Sequence, residues 1–248
     1  MAYQPSPADL EAFARDGFVI VPALLDSEET RRLAETARSD RRMELDATAR
    51  SDAAGGQTVL TVRDSLVDDI YSRIARSPRV VRSMEQFLGD EVYHYHHKLM
   101  LKEPRVGGAW EWHQDYGYWY NYGCLYPSMA SCYIAIDRAT RANGCLQVIP
   151  GSHHLGRLDH GKVGGQTGAD PDRIAAILER LPLQYVEMQP GDGLFFHGNV
   201  LHRSDANTSP DPRWSLIICY NTKANDPYKV LRHNGYQPIE VLDPSVAI

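Results

Sequence analysis

Residues 110–126 read WEWHQDYGYWYNYGCLY, and eight of these 17 residues are aromatic in a chain that is 9% aromatic overall. At the centre, His113 and Asp115 stand two apart. On an extended strand, side chains at i and i+2 project to one face. An imidazole and a carboxylate would then converge, with Trp110, Trp112 and Gln114 on the other face. Such a pair supplies half a metal site or an orienting His–Asp couple. Alone it is weak evidence, because a hydrogen-bonded polar pair at a strand edge looks the same.

A second group lies in PGDGLFFHGNVLHRSDANTSPDPRWSLIICY (190–220). His202 and Ser204 repeat the i, i+2 spacing, and Arg213 opens the next apolar run eleven residues after His202. An arginine there costs free energy unless its guanidinium has a partner. A ligand carboxylate suits its planar fork; the plainer reading is a solvated strand end. Two His and one Asp make a facial triad that leaves one side of a metal open, the arrangement that suits non-haem Fe(II). Catalytic zinc more often takes three His, or two His with Glu. Iron beside an arginine and a serine points to 2-oxoglutarate as co-substrate with O₂. Its 2-oxo and C1 carboxylate oxygens would chelate the metal and its far carboxylate would meet Arg213 and Ser204. His197 is the rival to His202, but the same offsets from it reach Thr208 and Asn199. His153 and His154 follow a turn and read as structural or surface residues. His94, His96 and His97 split between strand faces, with one of them inward.

These residues need a β framework, and the pattern supplies one. Ser6-Pro7 starts a short helix that Gly17 ends, FVIVPAL (18–24) reads as a strand, and Asp26 or Ser27 caps a second helix. Residues 46–58 read as a loop and 66–88 as a helix interrupted near Pro78. From residue 91, short β-rich runs alternate with Gly, Pro, Asn and Asp. The expectation is a mainly β protein, a β-sandwich or cupin-like jelly roll with N-terminal helices packed outside. We expect a single domain over 1–248, mostly helical in 1–90, with a core at 91–222 and a C-terminal tail at 223–248. An insertion at 152–182, a Gly-rich loop followed by a helix starting at Pro171, is a candidate lid.

Composition limits the rest. With 248 residues and 43% hydrophobic content the chain can bury a full core, and a net charge of −6 with scattered Lys and Arg argues against nucleic acid. No stretch suits a signal peptide or a membrane helix. Four widely spaced cysteines in apolar segments fit a reducing cytoplasm. Oligomeric state is unreadable.

WHQD, NGCLQVIPGSH (143–153) and the GD…FHGNVLHRS…N…S…R segment, taken in order over roughly 8–222, resemble the phytanoyl-CoA dioxygenase family, in particular its ectoine-hydroxylase-like members. The resemblance implies a double-stranded β-helix and an Fe(II)/2-oxoglutarate-dependent dioxygenase that hydroxylates an unactivated C–H bond of a small polar molecule. His113, Asp115 and His202 would hold iron, Arg213 and Ser204 the distal carboxylate, and Lys98 and Tyr133 further 2-oxoglutarate contacts. Tyr116 and Trp119 would wall the substrate pocket, where such rings could also cage a cation; the plainer reading is that Tyr118, Tyr120 and Tyr122 only cover a loop without touching ligand. His96 stands where some relatives have Gln and would approach the substrate. An Asp at 115 points away from halogenation, and nothing suggests room for a CoA thioester. The alternatives are a non-redox metal enzyme of cupin type and a non-catalytic ligand-binding jelly roll.

Overall fold

The computed structural model describes residues 3–41, 46–52, 54–163, 165–229, 232–244, 246 and 248. Its strands are β1 (Phe18–Val21), β2 (Thr48–Ser51), β3 (Gln57–Arg63), β4 (Val92–Lys102), β5 (Trp110–His113), β6 (Met129–Ala135), β7 (Leu146–Val148), β8 (His160–Val163), β9 (Gln166–Ala169), β10 (Gln184–Val186), β11 (Gly193–His197), β12 (His202–Ser204) and β13 (Arg213–Thr222). They form a seven-stranded sheet in the order β1-β11-β6-β13-β4-β3-β2, a four-stranded sheet β10-β7-β12-β5, and the hairpin β8-β9. The pairings between these strands are antiparallel.

Period-two alternation sorts each central strand between two apolar clusters. On β13, Leu216, Ile218 and Tyr220 join the cluster that also holds Phe13, Leu33, Ile74 and Met84 of the N-terminal helices. Ile217 and Cys219 join the cluster containing Val148 and Val186 of the smaller sheet. The helices therefore cover the outer face of the large sheet, and the site-bearing face looks toward the second sheet. This is the expected jelly roll.

Local signals act as expected at the helix ends. Ser6 and Asp26 each form a capping box, and Gly17, at φ 84°, ends the first helix in the left-handed conformation. Pro78 breaks 66–88 into Ile70–Ala75 and Pro78–Leu88 by starting a new helix at its first position.

Two expectations are corrected. The loop over 46–58 contains β2 and the start of β3; β2 is an exposed edge strand on both faces, so it shows no apolar alternation. The Gly-rich part of the insertion is the hairpin β8-β9, followed by the helix Pro171–Leu178. No helix among the described residues is long and apolar enough to cross a membrane.

Candidate active site

β5 and β12 pair so that His113 lies opposite His202, with ring centroids 4.0 Å apart. The register then slips, because the next pair is Ser204 with Trp110. This irregularity turns Trp110 onto the face of His113, 6.2 Å from its ring, where it lines a cavity. Simple alternation had put it with Trp112, which is buried beneath the insertion.

Asp115 is not on the strand. The chain leaves β5 at Gln114, and Asp115 opens the short helix Asp115–Trp119. It still reaches the pair: its Oδ1 is 3.8 Å from His113 Nε2. One potential ligand atom from each of His113, Asp115 and His202 lies within 4.8 Å of the others, all three residues are buried, and no other such cluster occurs among the described residues. His197 is elsewhere, its Nδ1 accepting from the Asn199 amide at 3.0 Å.

The hydrogen bonds prepare these three for a metal. His113 Nδ1 donates to the Glu111 carbonyl at 2.7 Å, and His202 Nδ1 donates to the Val200 carbonyl at 3.0 Å. Each neutral ring is thus left with its Nε2 lone pair free. Burial and the facing His202 push His113 well below the usual imidazole range, and burial also lowers His202. For Asp115, burial raises the pKa, but Lys98, the two imidazoles and the Ser131 hydroxyl outweigh it and hold it lowered. Ser131 donates to Oδ2 at 3.1 Å, which leaves Oδ1 available. Lys98 Nζ lies 3.8 Å from that Oδ1, and Asp115 keeps the ammonium charged against the effect of burial.

The far end of the cavity is cationic. Arg213 is only 2% exposed; its Nη1 donates to the Tyr133 hydroxyl at 2.8 Å, while its buried Nε has no partner. The Ser215 hydroxyl, on the same face of β13, is also unpartnered. Lys102 is fully buried; it donates to Ser204 Oγ at 2.9 Å and to the Asp205 carbonyl. With its oxygen taken as acceptor, Ser204 can turn its own proton to a ligand. Burial, and then the charge of Arg213, hold Lys102 well below the usual lysine range.

An inner cavity joins this end to the triad, lined by Lys98, Trp110, Tyr133, Ser204, Arg213 and Ser215 besides His113, Asp115 and His202. An outer chamber of about 500 Å³ shares Lys98, Trp110, Asp115 and Tyr118 with it. These residues fit iron with 2-oxoglutarate: three oriented donors at one end, and orphaned buried donors for a carboxylate at the other.

The family model described as "Phytanoyl-CoA dioxygenase (PhyH)" matches residues 13–215. L-proline trans-4-hydroxylase of Streptomyces griseoviridis is 30% identical over 236 residues, 89% of this chain and 88% of that protein. The chain belongs to the phytanoyl-CoA dioxygenase family. Ectoine dioxygenase of Halomonas elongata is 29% identical over 270 residues, covering 96% and 79% of the two chains. Among solved structures, EctD from S. alaskensis with 2-oxoglutarate and 5-hydroxyectoine superposes with a TM-score of 0.80 at 23% identity, over 96% of this chain and 87% of that one. The epimerase SnoN with Fe3+, alpha ketoglutarate and nogalamycin RO gives 0.75 at 23%, over 98% and 97%. These likenesses fix the fold as the double-stranded β-helix. As a phytanoyl-CoA dioxygenase family member, the protein is an Fe(II)/2-oxoglutarate-dependent dioxygenase.

Within this family site, His96 and Trp119 line the outer chamber, whereas Tyr116 does not. Tyr116 is buried in the core and donates to the Leu125 carbonyl at 2.6 Å. The reason is helical geometry: from Asp115, positions i+3 and i+4 return to the same face and i+1 points away. Tyr118 and Tyr122 line the chamber too. Sequence reasoning missed Lys102, although the alternation His96, Lys98, Met100, Lys102 along β4 marks it. It also missed Ser215, two after Arg213. His160 of the insertion carried no signal; its Nε2 accepts from the Gln114 amide at 2.9 Å, and its ring leaves room only for glycine at 117, where a Cβ would lie 2.2 Å away. His233, in what read as a tail, closes the outer wall.

Proposed function

We propose that His113 and His202, through Nε2, and Asp115, through Oδ1, hold iron. We further propose that Arg213, with Ser204, Tyr133 and Ser215, holds the distal carboxylate of 2-oxoglutarate, and that Lys98 balances charge at the metal end. The substrate is a small polar molecule in the outer chamber, hydroxylated at an unactivated C–H bond. When bound, iron with 2-oxoglutarate activates O₂ and supplies the oxidant, with release of succinate and CO₂. The protein orients the ligands through the two Nδ1–carbonyl bonds, directs Ser204 through Lys102, and excludes water with Trp110, Tyr118 and Trp119. The insertion acts as a lid: Lys162, Gln166 and Thr167 line the chamber, and the Tyr118 hydroxyl donates to the Thr167 carbonyl at 2.7 Å.

The observation that carries this reading is the partnerless buried Nε of Arg213, at the opposite end of one cavity from the triad. The names of the relatives, a proline hydroxylase and an ectoine dioxygenase, favour a small polar substrate over a non-redox or purely binding role. Four free, buried cysteines favour the cytoplasm. The test is metal content and 2-oxoglutarate binding in Asp115→Ala and Arg213→Met. The first should lose iron and the second should keep iron but lose 2-oxoglutarate; the reverse pattern would refute the assignment.

A further inference from the structure

The cations of the outer chamber exceed what the iron site needs. Arg50 of β2, Lys98 of β4, Lys162 of β8 and Arg232 near the C-terminus all line it, and Asp115 is its only carboxylate among the described residues. Iron(II), Asp115 and 2-oxoglutarate together carry one net negative charge, and Lys98 and Arg213 already face it. Arg50 and Lys162 have no side-chain ion pair or hydrogen bond to any described residue. Arg232 rests on a ring, its Nη1 donating to the Tyr122 hydroxyl at 3.2 Å. Exposed Lys and Arg usually belong to a solvated face. These three differ in converging from separate elements on one concave chamber, in a protein whose net charge is −6.

The rest of the chamber is flat and aromatic: Trp110, Tyr118, Trp119 and Tyr122, with His96 stacked on His233 at 4.5 Å. The His233 Nδ1 is already held by Asp64 at 2.7 Å. An ammonium group on a substrate would find no carboxylate there among the described residues except Asp115.

We propose that the outer chamber selects a small carboxylate-bearing substrate with a ring or flat body and no free amine. Its carboxylate lies among Arg50, Lys162 and Arg232, and its body lies against the aromatic wall toward the triad. This rests on the inner cavity being the iron and 2-oxoglutarate site, and it replaces the aromatic cage for a cation.

The test uses the full-length protein loaded with Fe(II) and 2-oxoglutarate without oxygen, so that the inner cavity is filled. It is titrated with benzoate, benzamide and benzylamine, one ring in three charge states, with binding read from tryptophan fluorescence. An exposed ion pair strengthens binding a few-fold at most, so three together predict about a tenfold preference for benzoate. That preference should fade with added salt. It should also vanish in the triple variant Arg50→Gln, Lys162→Gln, Arg232→Gln, whose positions are exposed, while the visible band of bound 2-oxoglutarate persists. Equal binding of the three probes, absence of benzoate binding, or a preference that survives the triple substitution would overturn the proposal. If the band forms without anion preference, only this inference fails. If benzoate is preferred but no band forms, the chamber stands as an anion site and the 2-oxoglutarate assignment fails.

Discussion

Arg213→Met keeps most of the side chain's bulk and removes the guanidinium. Arg213 is 2% exposed, one nitrogen is committed to Tyr133, and its Nε has no protein partner. A hydrogen bond involving a charged group contributes roughly 1.5–3 kcal/mol. Losing one member of a buried charge pair costs roughly 2–5 kcal/mol. The lower bound alone weakens 2-oxoglutarate binding about thirtyfold. Lys102 is buried close by, yet it is tied to Ser204 and the Asp205 carbonyl and lacks a planar two-pronged head, so it does not replace the fork. Arg213→Lys should fall between, since it keeps charge but loses the two-pronged geometry. The assay is an anaerobic titration of the Fe(II)-loaded protein with 2-oxoglutarate, following the visible charge-transfer band, with iron affinity measured separately. A folded Arg213→Met protein that binds 2-oxoglutarate within about threefold of wild type would refute the reasoning.

Asp115→Ala should lose tight iron binding and turnover, because two imidazoles alone hold Fe(II) poorly; metal analysis after dialysis checks this. Lys102→Met should raise the KM for 2-oxoglutarate by about tenfold with little change in kcat, as expected for a residue acting through Ser204; a change confined to kcat would contradict that role. Trp119→Ala should weaken substrate binding and leave 2-oxoglutarate binding intact, while Tyr116→Phe should cost stability, about 1 kcal/mol, and leave substrate affinity unchanged. His94 and His97 form a buried pair, Nε2 to Nδ1 at 3.0 Å, with pKa values lowered by burial to about 3 and about 4. The folded state resists protonating them, so stability should fall as the pH drops below about 6.5, by up to about 1.4 kcal/mol per pH unit for each imidazole. Denaturant midpoints between neutral pH and pH 4.5 would check this, and midpoints unchanged in His94→Gln relative to wild type over that range would refute it.

The cluster of His113, Asp115 and His202 and the buried arginine were legible because their chemistry is local: an HxD pair, an HxS pair and an arginine at the head of an apolar strand. The jelly roll was legible because the central strands alternate strictly between two cores. What was not legible depends on departures from that period. Asp115 begins a helix, so Tyr118, rather than Tyr116, comes back to the site. The irregular pairing of β5 with β12 moves Trp110 from packing to cavity. Edge strand β2 and the C-terminal segment bring Arg50, Arg232 and His233 to the chamber through tertiary contacts alone.

The central claim is that one cavity holds iron at His113, Asp115 and His202 and 2-oxoglutarate between that iron and Arg213. Its most direct test is to mix the protein with Fe(II) and 2-oxoglutarate without oxygen, record the visible spectrum, and then admit air and measure succinate. The expected result is a weak charge-transfer band on mixing, followed by O₂-dependent succinate formation. Metal bound without a band, and without succinate after oxygen is admitted, would contradict it.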